Sequence, residues 1–185
     1  DFVIRPADAE EVILPSATET AAANAALKAL SVKAEDGCVV LGADTVVSSA
    51  DDRPLGKPHS EEEAFAMLRE LCGRTHVVIT GIYLTDGTRS AHEEVKTRVT
   101  FAPFDENLVR AYIATGKPFD KAGGYGIQDK ELKDLVVRVD GDVDNVIGLP
   151  VAAVRRLLRE NFLWRKRSPF RSARPIHPYS CRGAA

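Results

Sequence analysis

Two short segments hold side chains that could act on a charged substrate. In VVLGADTVVSSADDRPLGKP, residues 39–58, an apolar run ends on Asp44 and Thr45, and Gly56-Lys57-Pro58 follows in a polar loop. In FDKAGGYGIQDK, residues 119–130, Gly123, Gly124 and Gly126 stand beside Lys121 and lead to Gln128. A carboxylate at the end of a buried strand lies where open α/β sheets bind ligands, outside the carboxyl ends of the strands. Glycines let backbone N–H groups approach an anion closely, and a nearby lysine adds a point charge. Taken singly, each has an ordinary explanation: a turn-forming Asp, a surface Lys in a Gly-Pro turn, a Gly-rich turn. Together, one acid, two lysines and a flexible anion cradle suit metal-assisted chemistry on a polyphosphate. In such chemistry carboxylates hold a divalent cation and lysines neutralise developing charge.

The other reactive side chains lack a pattern of this kind. His76 precedes a strand, where it packs or bonds locally, and His59, His92 and His177 have no ligand spacing. Asp140, Asp142 and Asp144 alternate around Gly141 but lack the remaining ligands of a calcium loop, so they form a turn. Cys38, Cys72 and Cys181 are odd in number and far apart, which opposes a disulfide framework and zinc spacing and suits reduced thiols in the cytoplasm.

The elements that must position these residues follow from pattern. Phe2-Val3-Ile4 is the end of a strand. Ser16 to Glu19 forms a capping box, opening a helix with Ala23, Ala26, Leu27 and Leu30 on its apolar face. Residues 39–43 are a strand buried on both faces. A second capping box, Ser60 to Glu63, starts a helix with Ala64, Met67, Leu68 and Leu71 inward, stopped by Gly73. Residues 77–84 form a strand, Asp86-Gly87 turns the chain, and Val95, Thr97, Val99 and Phe101 alternate as a strand with one wet face. Asp105 caps a helix that ends at Gly116, Val136 to Val139 is a short strand, and Pro150 opens a final helix. Strands alternating with helices, with at least one hairpin, predict an α/β fold with a mixed central sheet flanked by helices.

At 185 residues the chain suits one domain with a proper core. No apolar run reaches the roughly 18 residues of a membrane span, and the first residues, DFVIRPADAEE, lack the pattern of a signal peptide. The net charge of −2 is uneven: six of the 25 Lys/Arg fall from Arg165 onward, where there is no Asp or Glu, so residues 1–164 carry −8. So acidic a body is unsuited to phosphate-backbone recognition, which makes nucleic acid an unlikely partner and leaves anion binding to a few local cations. The organisation expected is one domain over residues 1–162 and a basic, disordered tail over 163–185.

Five segments in order, GADTVV (42–47), GKP (56–58), AFAMLRELCGRTHVVITG (64–81), DKAGGYGIQ (120–128) and DNVIGLP (144–150), resemble the Maf family of nucleoside triphosphate pyrophosphatases. The resemblance implies an elongated, two-lobed α/β fold of the Maf and inosine-triphosphatase kind, a deep cleft and a homodimer. It implies house-cleaning hydrolysis between the α and β phosphates, giving the monophosphate and pyrophosphate, with a divalent cation such as Mg²⁺ or Mn²⁺. On that basis Asp44 is the proton acceptor and shares metal binding with Glu11, for which Glu10 is a one-residue alternative. Lys57 and Lys121 contact the triphosphate, and Thr45 and Gln128 take part in base choice. The ADT and YGIQ versions are similar to the branch acting on dTTP and UTP, and a carboxamide offers a pyrimidine edge both a donor and an acceptor. Two departures stand out. The sequence begins beyond the family's first strand and its Ser-Pro-Arg-Arg loop, and Asp129-Lys130-Glu131 follows Gln128 where the family commonly has Gly. The first departure keeps open an alternative, a catalytically impaired nucleotide-binding or regulatory remnant.

Overall fold

A five-stranded sheet in the order β2-β1-β3-β4-β5 organises the protein. The computed structural model describes residues 2–163, so the basic stretch from Trp164 onward lies outside the described residues. In chain order the elements are α1 (Ala17–Leu30), β1 (Val40–Ser48), β2 (Pro54–Leu55), α2 (Glu61–Leu71), β3 (Thr75–Thr85), β4 (Ser90–Phe101) and α3 (Glu106–Ile113). Short 3₁₀ turns at Lys117–Asp120, Ala122–Gly124 and Lys130–Leu132 lead to β5 (Val136–Asp140), α4 (Val143–Ile147) and α5 (Val151–Leu158). The α/β sheet flanked by helices is as expected. Its pairings among the described residues are all antiparallel, where a mixed sheet was expected, because β3 and β4 form a direct hairpin and β1 runs opposite to β3.

The N-terminal segment differs from expectation. Phe2, Val3 and Ile4 join no strand and are exposed. The capping residues act as the sequence implies: Ser16 Oγ accepts from the Glu19 N–H, Ser60 Oγ from the Glu63 N–H, and Asp105 from Asn107 and Leu108.

α1 lies on one face of the sheet through small residues. A Cβ on Gly42 of β1 would stand 2.2 Å from the Ala25 carbonyl oxygen, and one on Gly81 of β3 would stand 2.3 Å from that of Ala21. Glycine at these two points lets helix backbone and strand backbone touch. The buried face of α1 is therefore Ala17, Thr20, Ala21, Asn24, Ala25 and Ala29, while Leu27 and Leu30 are exposed, which reverses the apolar face expected from the sequence. Helix size decided the face: leucines would hold the helix off the sheet, whereas alanines let it settle onto the glycines.

On the opposite face, α2, α3 and the turns around Leu132 cover a core that includes Val47, Leu68, Val78, Phe101 and Val109. α5 covers a second cluster around Ile82 and Leu84 through Val154 and Leu157. Among the described residues, no helix is long and apolar enough to cross a membrane.

Candidate active site

Asp44 lies in the middle of β1, where the sequence had placed it at a strand end. β1 continues to Ser48 because nine consecutive pairs join it to β3, from Val40↔Thr85 to Ser48↔Val77, with Asp44 opposite Gly81. The ladder overrides the poor strand propensity of an aspartate. Nor is the strand buried on both faces, since Leu41 is exposed. On its other side β1 pairs with β2 only at Val47 and Ser48, so the stretch before Val47 has an uncovered edge among the described residues. A cleft of about 770 Å³ runs along this edge, in the range of small-molecule sites. Asp44 and Thr45, on opposite faces of the strand, both line it.

α1 supplies the partners of Asp44. Thr20, Asn24 and Lys28 recur every fourth residue and so share one side of the helix. Lys28 Nζ donates to Asp44 Oδ1 at 2.5 Å and to Glu11 Oε1 at 2.8 Å, so both carboxylates share one ammonium. Asn24 Nδ2 donates to Asp44 Oδ2 at 3.3 Å and to the Val12 carbonyl at 3.1 Å, while Asn24 Oδ1 accepts from the Val12 N–H at 2.8 Å. Thr20 Oγ1 accepts from the Leu14 N–H at 3.0 Å. Asn24 and Thr20 thus hold the N-terminal segment against α1, and that delivers Glu11 to Lys28. Glu10, the alternative register, is exposed and does not line the cleft.

The electrostatics follow from burial. Removal from water pushes the Asp44 carboxyl above its ordinary value, against the opposing pull of the Lys28 ammonium and the Asn24 amide. Glu11 is held below the usual carboxylate range, first by its hydrogen bond from Lys28, with a smaller contribution from the charge of Lys57. Burial works against the charge of Lys28, but its bonds to Asp44 and Glu11 keep its pKa above that of a free lysine.

The Gly-rich loop supplies another part of the cleft lining. Gly123 has φ +66°, and a Cβ there would meet the Val47 side chain at 3.0 Å, so glycine is required. Its N–H donates to the Gly56 carbonyl at 2.9 Å, joining this loop to the one that carries Lys57. Lys121 Nζ donates to Asp120 Oδ1 at 2.6 Å and to the Lys117 carbonyl at 2.8 Å. Lys57 and Gln128 are exposed in the cleft wall. Buried Tyr125 meets His76, whose Nε2 lies 2.7 Å from the Tyr125 hydroxyl. Burial lowers the His76 pKa to about 4, so the ring is neutral and serves packing, as its sequence context implied.

Thr45 is already engaged. Its hydroxyl lies 2.8 Å from Thr80 Oγ1 and 3.2 Å from the Gly148 carbonyl, which it donates to. Asp142 caps α4: its Oδ1 accepts from the Asp144 N–H at 2.9 Å. Cys38 and Cys72 are free thiols.

Glu11, Asp44, Thr45, Lys57, Lys121 and Gln128, drawn from distant parts of the chain, thus line one cleft. Sequence reasoning missed Lys28 and Asn24. The four-residue spacing of Thr20, Asn24 and Lys28 in an Ala-rich helix was the available signal, obscured by assigning the apolar face to the leucines.

Residues 1–161 match the family described as Maf-like protein. The chain belongs to the Maf family. Among similar proteins is a dTTP/UTP pyrophosphatase of Thermococcus gammatolerans, 43% identical over 163 residues, covering 88% of this chain and 86% of the relative. Those of Bacillus velezensis and Salinibacter ruber, with the same name, are 48% and 42% identical, covering 72% and 87% of this chain and 70% and 81% of the relatives. The Maf cleft here fits a hard divalent cation in one respect: Glu11 and Asp44 already converge on one positive charge. No group of three or more His, Cys, Asp or Glu gathers among the described residues, so water and phosphate oxygens would complete the shell, as is usual for Mg²⁺.

Proposed function

We propose that this Maf protein is a nucleoside triphosphate pyrophosphatase acting on dTTP and UTP, and on related non-standard nucleotides. The observation that carries this reading is the convergence of Asp44 and Glu11 on Lys28 in a cleft that Lys57, Lys121 and Gln128 also line. The names of the relatives support it.

In this reading the triphosphate lies along the cleft with its base against Gln128 and its phosphates toward Lys57 and Lys121. Asp44 takes a proton from water as the water oxygen bonds to the α phosphorus. The bond from that phosphorus to the α–β bridging oxygen breaks, and pyrophosphate leaves with the electron pair. The raised pKa of Asp44 makes it a stronger base than an exposed aspartate. Glu11 and Asp44 would hold Mg²⁺ or Mn²⁺, which supplies Lewis-acid neutralisation of phosphate charge. Lys28, close to both, is placed to move toward the phosphates.

Base choice falls to the Gln128 carboxamide, with Thr45 fixing the strand and the segment around Gly148 behind it. The free thiols agree with a cytoplasmic setting, and the family resemblance implies a homodimer. The substrate claim is tested by kcat/KM over dTTP, UTP, CTP, ATP, GTP and 7-methyl-GTP. We expect dTTP and UTP to lead 7-methyl-GTP by ~10-fold or more, the scale of one well-placed hydrogen-bond set, and Gln128→Ala to narrow that ratio. Equal turnover of all six would remove the specificity claim.

A further inference from the structure

The loop that presents Lys121 and Gln128 is fastened from beneath by a side chain that the reaction does not use. Tyr112 of α3 is fully buried. Its hydroxyl donates to Asp129 Oδ2 at 2.6 Å and accepts from the Gly126 N–H at 3.2 Å. The backbone closes the same turn, since the Asp129 N–H donates to the Gly126 carbonyl at 3.0 Å. Gln128 therefore sits in a four-residue turn whose two ends are held on one phenolic oxygen.

Lys121 is tied into the same arrangement. A Cβ on Gly126 would lie 2.7 Å from Lys121 Cε and 2.8 Å from Asp129 Oδ2, so the lysine stem and the carboxylate crowd this glycine together. Among the described residues, the Gln128 side chain makes none of the hydrogen bonds, so the turn beneath it is what limits its placement. Fixing a turn before a ligand arrives lowers the ordering cost of binding.

We propose that Tyr112 and Asp129 are positioning residues that clamp the Gly126–Asp129 turn, setting Gln128 against the base and the Lys121 stem beside the phosphates. The assignment rests on the function proposed above. Asp129 itself lines the cleft, and its carboxylate is engaged by the Tyr112 hydroxyl.

The test uses the full chain and the variants Asp129→Gly, Asp129→Asn and Tyr112→Phe, with two readouts. Hydrogen exchange of the amides at 126–131, read by mass spectrometry without nucleotide, is expected to quicken by ~10-fold or more in Asp129→Gly and Tyr112→Phe. With dTTP, Asp129→Gly is expected to raise KM by ~10-fold while kcat changes by less than about 2-fold, because binding and transition state share the lost alignment. Its preference for dTTP over 7-methyl-GTP narrows as well. Asp129→Asn keeps an acceptor for the phenol and is expected to restore KM to within about 3-fold of wild type. A merely structural role would lower thermal stability without moving KM or base preference. Unchanged exchange in both disrupting variants, or faster exchange with unchanged KM and preference, would overturn the clamp. A wild type that turned over no nucleoside triphosphate would instead remove the enzymatic reading, and the clamp would stand or fall on exchange alone.

Discussion

The Asp44 carboxyl lies in a place that disfavours its charged form. Its side chain is only 10% exposed, and the Lys28 and Asn24 contacts offset part of the desolvation. Because folding raises its pKa, the base is lost by protonation at a higher pH than for an ordinary aspartate. The acid limb of kcat/KM is therefore expected above the reference value of 3.8, with activity falling as pH drops through it. Lys28→Met removes an influence that lowers this pKa, so in that variant the limb moves to still higher pH. A limb at the ordinary carboxylate position, unmoved by Lys28→Met, would contradict the role of Asp44. Asp44, Lys57 and Lys121 could be singled out as candidates because each stands in a short motif of unusual composition, and Gln128 through the family resemblance. Lys28 and Asn24 could not, because their meaning comes from a helix face that only docking onto the sheet defines.

At the scale of elements, the contact between α1 and the sheet sets the site. Gly42 and Gly81 bring the helix backbone within touching distance of β1 and β3, and that proximity places Lys28 and Asn24 over Asp44. Gly81→Ala puts a methyl where the Ala21 carbonyl stands, so α1 must shift outward. The expected destabilisation is about 2–3 kcal/mol, typical of overpacking, accompanied by loss of turnover greater than the loss of folded protein explains. Urea unfolding and activity on the same sample check this, and a fully stable, fully active Gly81→Ala protein would contradict it. Caps and the β3–β4 hairpin were legible because Ser16, Ser60, Asp105 and Asp86-Gly87 act within a few residues of themselves. The extension of β1 through Asp44 and its antiparallel pairing with β3 were not, since they depend on partners far along the chain, Gly81 for Asp44.

In the whole molecule, the cleft gathers charge of both signs while the first 164 residues stay acidic. Lys28, Arg53, Lys57 and Lys121 line it beside Glu11, Asp44, Glu63, Asp120 and Asp129, so its walls are close to neutral. A triphosphate therefore needs added positive charge in order to bind, which accounts for the divalent cation in chemical terms. The order of motifs revealed the family, but periodicity could not show that residues 11, 28, 44, 57 and 121 share one cavity. The most direct test follows dTTP by ³¹P NMR in the presence of Mg²⁺ or Mn²⁺, with wild type, Asp44→Asn and an EDTA control. The account predicts dTMP and pyrophosphate as the products of wild type, a rate lower by ~10²-fold or more in Asp44→Asn, and no turnover in EDTA. Release of dTDP and orthophosphate, or an Asp44→Asn rate equal to wild type, would contradict it.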